Sequence, residues 1–265
     1  MKLTLSRSVH ILALVLVSIT SASAQGTSTP STHPDREVRV VYLVPSDRTY
    51  RGAYENAIGG AIQQLQTWYH DQMGNRETFS LSKAPKKLVE VFTTSHPASW
   101  YSVNPAAGLD QALWFFYNAL ADGFQLAGGQ FNDPQNRWVL YIDADPGCGQ
   151  ATGALEGVAL LPANDLRGLV GEDNVPVCAG QPADTSGTCR WVGGLGHELG
   201  HTFGLPHPVP CPGGSADGAL MCLGYISYPD AYLSPDDKST LNQSPFFDPM
   251  NVRKRPTKGL ECELQ

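Results

Sequence analysis

The chain carries no surplus of positive charge. Its 265 residues include 18 Lys and Arg against 25 Asp and Glu, which gives a formal net charge of −7. A protein that binds nucleic acid normally presents a strongly basic face to the phosphates. The one basic cluster is short, lies near the C-terminus and is interpreted as a solvated tail: Arg253, Lys254, Arg255 and Lys258. We therefore expect no nucleic-acid partner.

Long apolar runs are absent, apart from a short one near the N-terminus. Lys2 and Arg7 flank the start of this region, Ile11–Val17 is apolar, and Ala22–Ala24 has the small-x-small form of a cleavage site. These three parts predict a secretory signal peptide over residues 1–24. No stretch reaches the roughly 20 apolar residues that a membrane span requires. We expect a secreted, extracellular protein with no membrane association after the signal is removed.

No cysteine precedes Cys148, and no C-x-x-C pair occurs anywhere. The missing pair argues against a cysteine zinc site or a thioredoxin-like redox site. In an exported protein, an even number of cysteines predicts up to three disulfides, whose pairing the spacing leaves open. The short loop that it would close favours Cys211–Cys222. The remaining cysteines are Cys178, Cys189 and Cys262.

The apolar pattern predicts strands that alternate with helices. Helical spacing extends over Tyr50–Met73 and Leu109–Phe124. Apolar runs predict strands at Val38–Val44, Leu88–Thr93, Trp138–Ile142 and, as a short fourth strand, Gly157–Leu161. This order is typical of a mixed α/β sheet. Because no repeat or second linker is found, we interpret residues 38–265 as one domain that follows a flexible lead-in at residues 25–37.

The segment that ends at His207 carries the most specific chemical pattern, H-E-x-x-H-x-x-G-x-x-H. On a helix, His197 and His201 lie one turn apart on the same face, so both imidazoles can reach one metal ion. Glu198 lies beside them, about 100° around the helix. A carboxylate in that position can act as a general base without binding the metal.

His207 can be a third ligand only if the helix ends before it. In a continuous helix, His207 would point about 120° away from His201. Gly204 can adopt the left-handed conformation that ends helices, and Pro206 cannot continue one. The sequence therefore predicts that the chain turns back after Gly204 and presents His207 to the metal.

The opposite face of the same helix is apolar and predicts a core contact. Its members are Trp191, Val192, Leu195, Leu199 and Phe203. Glycines flank the histidine side, at Gly193, Gly194, Gly200 and Gly204. Either another group must approach the helix closely there, or the glycines permit tight packing against another element.

The pattern from His197 to His207 resembles the long zinc-binding signature of the metzincin clan of metalloendopeptidases. The resemblance implies an α/β (mixed α+β) zincin domain with a twisted, mixed sheet of about five strands and an active-site helix. It also implies a methionine turn beneath the zinc, for which Met221 is the first candidate and Met250 the second. Many metzincins have a tyrosine two residues after this methionine, whereas this chain has Leu223, so the subfamily stays open.

A secreted zinc metalloendopeptidase is the function that these observations predict. His197, His201 and His207 would hold one catalytic Zn²⁺, and Glu198 would take a proton from the water that attacks a peptide carbonyl. The partner would be a protein or peptide substrate, and we expect a monomer. The paired carboxylates Asp143 and Asp145 are candidate Ca²⁺ ligands, and no other feature of the sequence supports a calcium site.

Two features near the site have open interpretations. Tyr225 or Tyr228 could donate a hydrogen bond to the reacting carbonyl. Gly157–Leu161 could accept an extended peptide by β-augmentation or could be an ordinary buried strand.

The same residues bear on other classes of hydrolase. After Glu198 the only glutamates are Glu261 and Glu263, which argues against a His-His-Glu zinc site, and no G-x-S-x-G nucleophile motif occurs. A non-catalytic secreted zinc-binding protein with a metzincin-like fold and a zinc hydrolase of non-peptide amides remain as alternatives.

Overall fold

A five-stranded sheet forms the centre of the computed structural model, which describes residues 36–82, 86–102, 110–146, 152–172, 187–249 and 262. The strands are β1 Glu37–Val44, β2 Thr78–Phe79, β3 Val89–Thr93, β4 Asn136–Ile142, β5 Gly153–Leu155, β6 Val158–Leu161 and β7 Phe247–Asp248. The helices are α1 Gly52–Gln72, α2 Ala98–Ser102, α3 Gln111–Ala127, α4 Ala163–Leu169, α5 Thr188–Thr202 and α6 Pro235–Asn242, with a 3₁₀ helix at Gly224–Ser227.

The strand order in the main sheet is β3-β1-β4-β6-β5. The pairs β1–β3, β1–β4 and β4–β6 are parallel, and β5 pairs antiparallel with β6. The strands β2 and β7 form a separate antiparallel pair. The expected mixed α/β architecture with five strands is therefore confirmed, and β1, β3, β4 and β6 correspond to the four predicted strands.

The central strands are apolar on both faces because helices cover both sides of the sheet. One face packs on α1 and α5 through Tyr42, Tyr141 and Leu161, among others. The opposite face packs on α3 through Leu43, Leu140 and other residues that are adjacent in sequence to those of the first face. This alternation follows from the two-residue period of a strand. The continuous apolar runs of β1 and β4 thus reflect two separate cores.

Of the two interpretations left open for Gly157–Leu161, the structure supports the buried strand. All four residues of β6 are fully buried, and the strand pairs with β4 on one side and β5 on the other. Glu156 and Gly157 both have positive φ, 50° and 86°, as in a tight hairpin turn. This turn adds β5 outside β6, so β5 is the edge of the sheet and the buried-strand interpretation holds.

Several sequence-based expectations fall outside the described residues. They concern the signal peptide at 1–24, most of the lead-in at 25–37, Cys148, Cys178 and Met250. In the described part of the chain, no helix has both the length and the apolar character needed to cross a membrane.

Candidate metal centre and active site

Helix α5 carries the signature and is held in place by its apolar face. Trp191, Val192, Leu195 and Leu199 are each less than a tenth exposed, as is Phe203 directly after the helix. The helix lies against α1, α4 and the strands β5 and β6. Burial of this face stabilises α5, so the histidines on the other face do not have to contribute to packing.

The helix ends where the sequence predicts. Phe203 is the C-cap, and Gly204 has φ of +92°. The N–H groups of Gly204 and Leu205 donate to the carbonyls of His201 and Gly200, at 2.9 and 3.1 Å. These bonds satisfy carbonyls at the helix end while the chain reverses, as in a glycine-terminated helix. The reversal brings His207 back toward α5.

The three histidines of the signature converge on one point. The distances between their Nε2 atoms are 3.0 Å for His197–His207, 3.1 Å for His197–His201 and 3.0 Å for His201–His207. His197 is buried, His201 is intermediate and His207 is exposed. Among the described residues, these three form the only group of three or more potential metal ligands. The nearly equilateral arrangement leaves one shared position for a cation.

Hydrogen bonds fix which nitrogen of two of these rings carries the proton. Nδ1 of His197 lies 2.7 Å from the carbonyl oxygen of Leu220, and Nδ1 of His201 lies 2.7 Å from that of Leu205. Because a carbonyl can only accept, each Nδ1 carries the hydrogen and donates it. The Nε2 lone pairs then face each other with no proton between them. Such a donor set fits Zn²⁺, and carbonyl partners of this kind orient metal-binding histidines.

The surroundings keep the same rings neutral. Burial lowers the pKa of His197 to about 4, and the neighbouring imidazoles act in the same direction although the Leu220 carbonyl opposes them. Burial also lowers the pKa of His201. A neutral imidazole is the form that ligates a metal. The two rings on α5 are therefore in the ligating form near neutral pH.

Met221, the first candidate for a methionine turn, packs against Gly200 of helix α5, the residue directly before His201. The side chain is fully buried, and a Cβ at Gly200 would overlap its Sδ atom. A Cβ at Gly193 would likewise overlap the backbone of Tyr225. Of the two explanations for the glycines, tight packing against another element of the fold therefore applies at these positions. Leu220, next to Met221, supplies the carbonyl that orients His197.

Glu198 lines the same cavity as His197 and His207. The cavity has a volume of about 440 Å³. Burial raises the pKa of Glu198 to about 8; the nearby charge of Asp165 raises it further, whereas Arg190 lowers it. A divalent cation beside the carboxylate would favour the ionised form.

The two candidate tyrosines have different environments. The ring of Tyr225 lies 5.2 Å from that of His197, centroid to centroid, and lines the cavity. Tyr228 is 1% exposed and packs against Trp68. Leu223, which replaces the expected tyrosine, also lines the cavity. Tyr225 is thus the tyrosine of the site, and Tyr228 belongs to the core.

Three polar residues of the cavity were missed by the sequence analysis. Arg190 precedes Glu198 by two helical turns, and its guanidinium lies over the rings of Trp191 and Tyr225 at 4.3 and 5.0 Å. Asp165 is buried, and its Oδ2 accepts a hydrogen bond of 3.3 Å from the Thr152 hydroxyl. The i, i+8 spacing of Arg190 and Glu198 was the one available signal, because the other two residues come from separate elements.

The remaining site expectations concern calcium and the disulfides. Asp145 forms an ion pair with Arg167 at 2.6 Å, and burial raises the pKa of the nearby Asp143. This environment adds nothing in favour of calcium. The predicted disulfide Cys211–Cys222 is confirmed, and both of its cysteines line the cavity. A second disulfide, Cys189–Cys262, joins the first turn of α5 to the C-terminal region.

The sequence matches no family model and no curated protein. The fold is similar to that of catalytically inactive OgpA from Akkermansia muciniphila, solved in complex with an O-glycopeptide substrate, glycodrosocin. The TM-score is 0.55 at 16% identity, over 83% of this chain and 63% of that one. Wild-type OgpA gives a TM-score of 0.53 at 19% identity, over 83% and 64%. Archaemetzincin from Methanopyrus kandleri gives 0.38 at 16% identity, over 80% and 96%, a score too low to define a shared fold.

At these identities the likeness to OgpA concerns the fold alone, and the chain spans less than two thirds of the length of those OgpA chains. Fold and site together define the class: a mixed α/β protein whose three-histidine centre suits zinc, built on a fold shared with a protein that binds a peptide substrate.

Proposed function

We propose that the chain is a secreted, zinc-dependent endopeptidase of the metzincin type. His197, His201 and His207 would hold one Zn²⁺, and Glu198 would be the general base. The observation that carries the proposal is the set of three Nε2 atoms within 3.0–3.1 Å of one another, next to a carboxylate in the same cavity. A purely structural histidine cluster would not require a carboxylate beside it.

When bound, zinc supplies Lewis acidity that lowers the pKa of a water molecule and polarises a carbonyl oxygen. Glu198 accepts the proton of the attacking water on a carboxylate oxygen and transfers it to the nitrogen of the departing amine. The Nδ1–H groups of His197 and His201 stay bonded to their carbonyls, so both rings keep one orientation. We assign the additional hydrogen bond to the substrate to Tyr225, because Tyr228 is buried in the core.

A peptide substrate suits the edge of the sheet near the cavity. Strand β5 is the edge strand of the main sheet in the described part of the chain, and α5 lies against it. An extended peptide can add to such an edge through main-chain hydrogen bonds. The OgpA complex contains an O-glycopeptide, so we include glycosylated peptides among the substrates to be tested.

Secretion agrees with the two disulfides in the described residues. Both are expected to persist in an oxidising compartment and to be rare in the cytosol. Together with the predicted signal peptide, they support an extracellular location.

The decisive experiment compares the parent with Glu198→Gln. The variant should bind zinc as tightly as the parent but lose about 10²- to 10⁴-fold in turnover, because general-base assistance is removed while the ligands remain. Cleavage would be measured by mass spectrometry on a peptide library that contains plain and O-glycosylated peptides, with and without a chelator. Glu172→Gln is the matched control, since Glu172 pairs with Arg51 outside the cavity and should be dispensable.

The alternatives give different results in the same assay. A non-catalytic zinc-binding protein would take up zinc and cleave no peptide. A hydrolase of non-peptide amides would spare the library and act on small amides instead. Full activity of Glu198→Gln would refute the assignment of the base.

A further inference from the structure

The segment directly after the active-site helix has a proline at every second position. Residues 206–212, named here the proline strap, read Pro-His-Pro-Val-Pro-Cys-Pro. Each proline fixes its own φ, and the residue before a proline is biased toward extended conformations. Alternating prolines therefore make this a stiff segment with few alternative conformations.

Within the described residues, no hydrogen bond involves the backbone of the strap. Most of its residues are exposed; Val209 is 96% exposed. Leu205, immediately before it, is 1% exposed and belongs to the core. The strap is thus anchored at its first end by a buried leucine and is otherwise without local hydrogen-bond support.

His207 lies within this strap and differs from the other two ligands. His197 and His201 each donate through Nδ1 to a backbone carbonyl. The polar contacts found for His207 are the two to the other rings, through Nε2. No carbonyl fixes its orientation among the described residues, so its position depends on the strap that carries it.

A disulfide anchors the other end of the strap. Cys211 is bonded to Cys222, which is 2% exposed and directly follows Met221. The N–H of Cys222 donates to the Ala219 carbonyl at 2.9 Å. Leu220, two residues before Cys222, is the residue whose carbonyl orients His197. The disulfide therefore connects the third histidine to the same turn that positions the first.

We propose that the Cys211–Cys222 disulfide and the proline strap are a positioning device for His207. They hold its imidazole at the shared point through covalent connection and backbone stiffness, in place of the hydrogen bond that orients the other two rings. The inference rests on the proposed zinc site, and it assigns Cys211, Cys222 and the strap prolines as positioning residues rather than ligands.

The test replaces both cysteines of one disulfide at a time by alanine. The double variant Cys211→Ala/Cys222→Ala should bind zinc about 10- to 100-fold more weakly, the usual effect of removing a group that orients a ligand. Cys189→Ala/Cys262→Ala is the matched control, because it also removes a disulfide of this protein but one attached at the first turn of α5, eight residues before His197, and not at the strap; its zinc affinity should stay close to the parent value. Affinity is measured by competition with a chromophoric chelator, and the Co²⁺ absorption spectrum reports loss of a ligand.

A second pair of variants keeps both disulfides and guards against a folding defect. Pro208→Gly/Pro210→Gly should weaken zinc binding because the strap becomes flexible. Val209→Ala, at an exposed position between them, should not. The inference would be overturned if Cys211→Ala/Cys222→Ala and Pro208→Gly/Pro210→Gly both bound zinc as tightly as the parent. It would also be overturned if removing either disulfide weakened zinc binding equally. If the parent itself bound no zinc, the proposed function would fail instead.

Discussion

Single residues determine how closely the segment that contains Met221 approaches helix α5. At Gly200, a Cβ would overlap Met221 Sδ and would lie 3.1 Å from both Met221 Cε and the Tyr69 hydroxyl. Since Tyr69 also donates to the Gly196 carbonyl at 2.9 Å, neither neighbour can move without a cost. Gly200 therefore matters because it leaves room for the Met221 side chain, although it has no reactive group of its own.

Gly200→Ala should destabilise the metal-free protein by about 1–3 kcal/mol, the usual cost of overpacking a core. Gly59→Ala is the matched control in the interior of α1, where the added Cβ would meet Leu88 Cδ2 at 3.4 Å and Val89 Cγ2 at 3.7 Å, ordinary contact distances. That control should be neutral or stabilising by about 0.5–1 kcal/mol, since alanine is the better helix former. Urea unfolding measures both; equal effects of the two substitutions would contradict the packing argument.

Some residues of the site could be predicted from the sequence, and the reason is the period of the helix. His197 and His201 face one way because they are four residues apart, and Trp191, Leu195 and Leu199 face the core for the same reason. Such periodicity carries no information about contacts between elements. It could not distinguish Tyr225 from Tyr228, because only the fold determines which ring reaches His197.

The end of helix α5 decides whether a two-histidine motif becomes a three-histidine site. Gly204 has φ of +92°, and a Cβ at this position would meet nothing within 4 Å. Glycine is therefore required here for its backbone conformation and not to avoid a clash with a neighbour. His201 and His207 are six residues apart in sequence. Because the chain reverses between them, their Nε2 atoms nevertheless lie 3.0 Å apart.

Gly204→Ala should cost about 1–2 kcal/mol, because an L-residue other than glycine is disfavoured in the left-handed region. Gly204→Asn should cost less, since asparagine adopts this conformation more readily. Zinc affinity should fall in the same order, because a distorted helix end displaces His207. Chemical unfolding and zinc titration are the measurements. If alanine and asparagine behaved alike in both, the left-handed conformation would not be the controlling feature.

The strands with a continuous apolar run could be predicted, whereas the three-residue strand β5 could not. A continuous apolar run in the sequence identified β1 and β4. Strand β5 has only three residues, Gly153–Leu155, and none of them has the β-branched side chain that is typical of strands. Its existence depends on the positive-φ turn at Glu156 and Gly157. Because the sequence pattern did not show this turn, β6 could be assigned as a strand but not placed in the sheet interior.

For the whole molecule, zinc should act as a stabilising ligand, because the three imidazoles meet only in the folded chain. Binding to the native state alone adds about 2.7 kcal/mol when free zinc exceeds its dissociation constant 100-fold. For a domain of this size, each kcal/mol corresponds to a melting shift of about 2–4 °C. Calorimetry with chelator and then with increasing zinc should show a melting temperature that rises with the logarithm of the zinc concentration.

Three variants attribute that shift to the site. His201→Ala should abolish most of it, since one corner of the Nε2 triangle is lost. Glu198→Gln should retain it, because the carboxylate is assigned a role in proton transfer and not in binding. His70→Ala is the matched control: His70 lies in the last turn of α1 beside Asp71, apart from the three-histidine cluster. An undiminished shift in His201→Ala would mean that zinc stabilises the protein at another site, and the zinc-dependent function would then lose its structural basis.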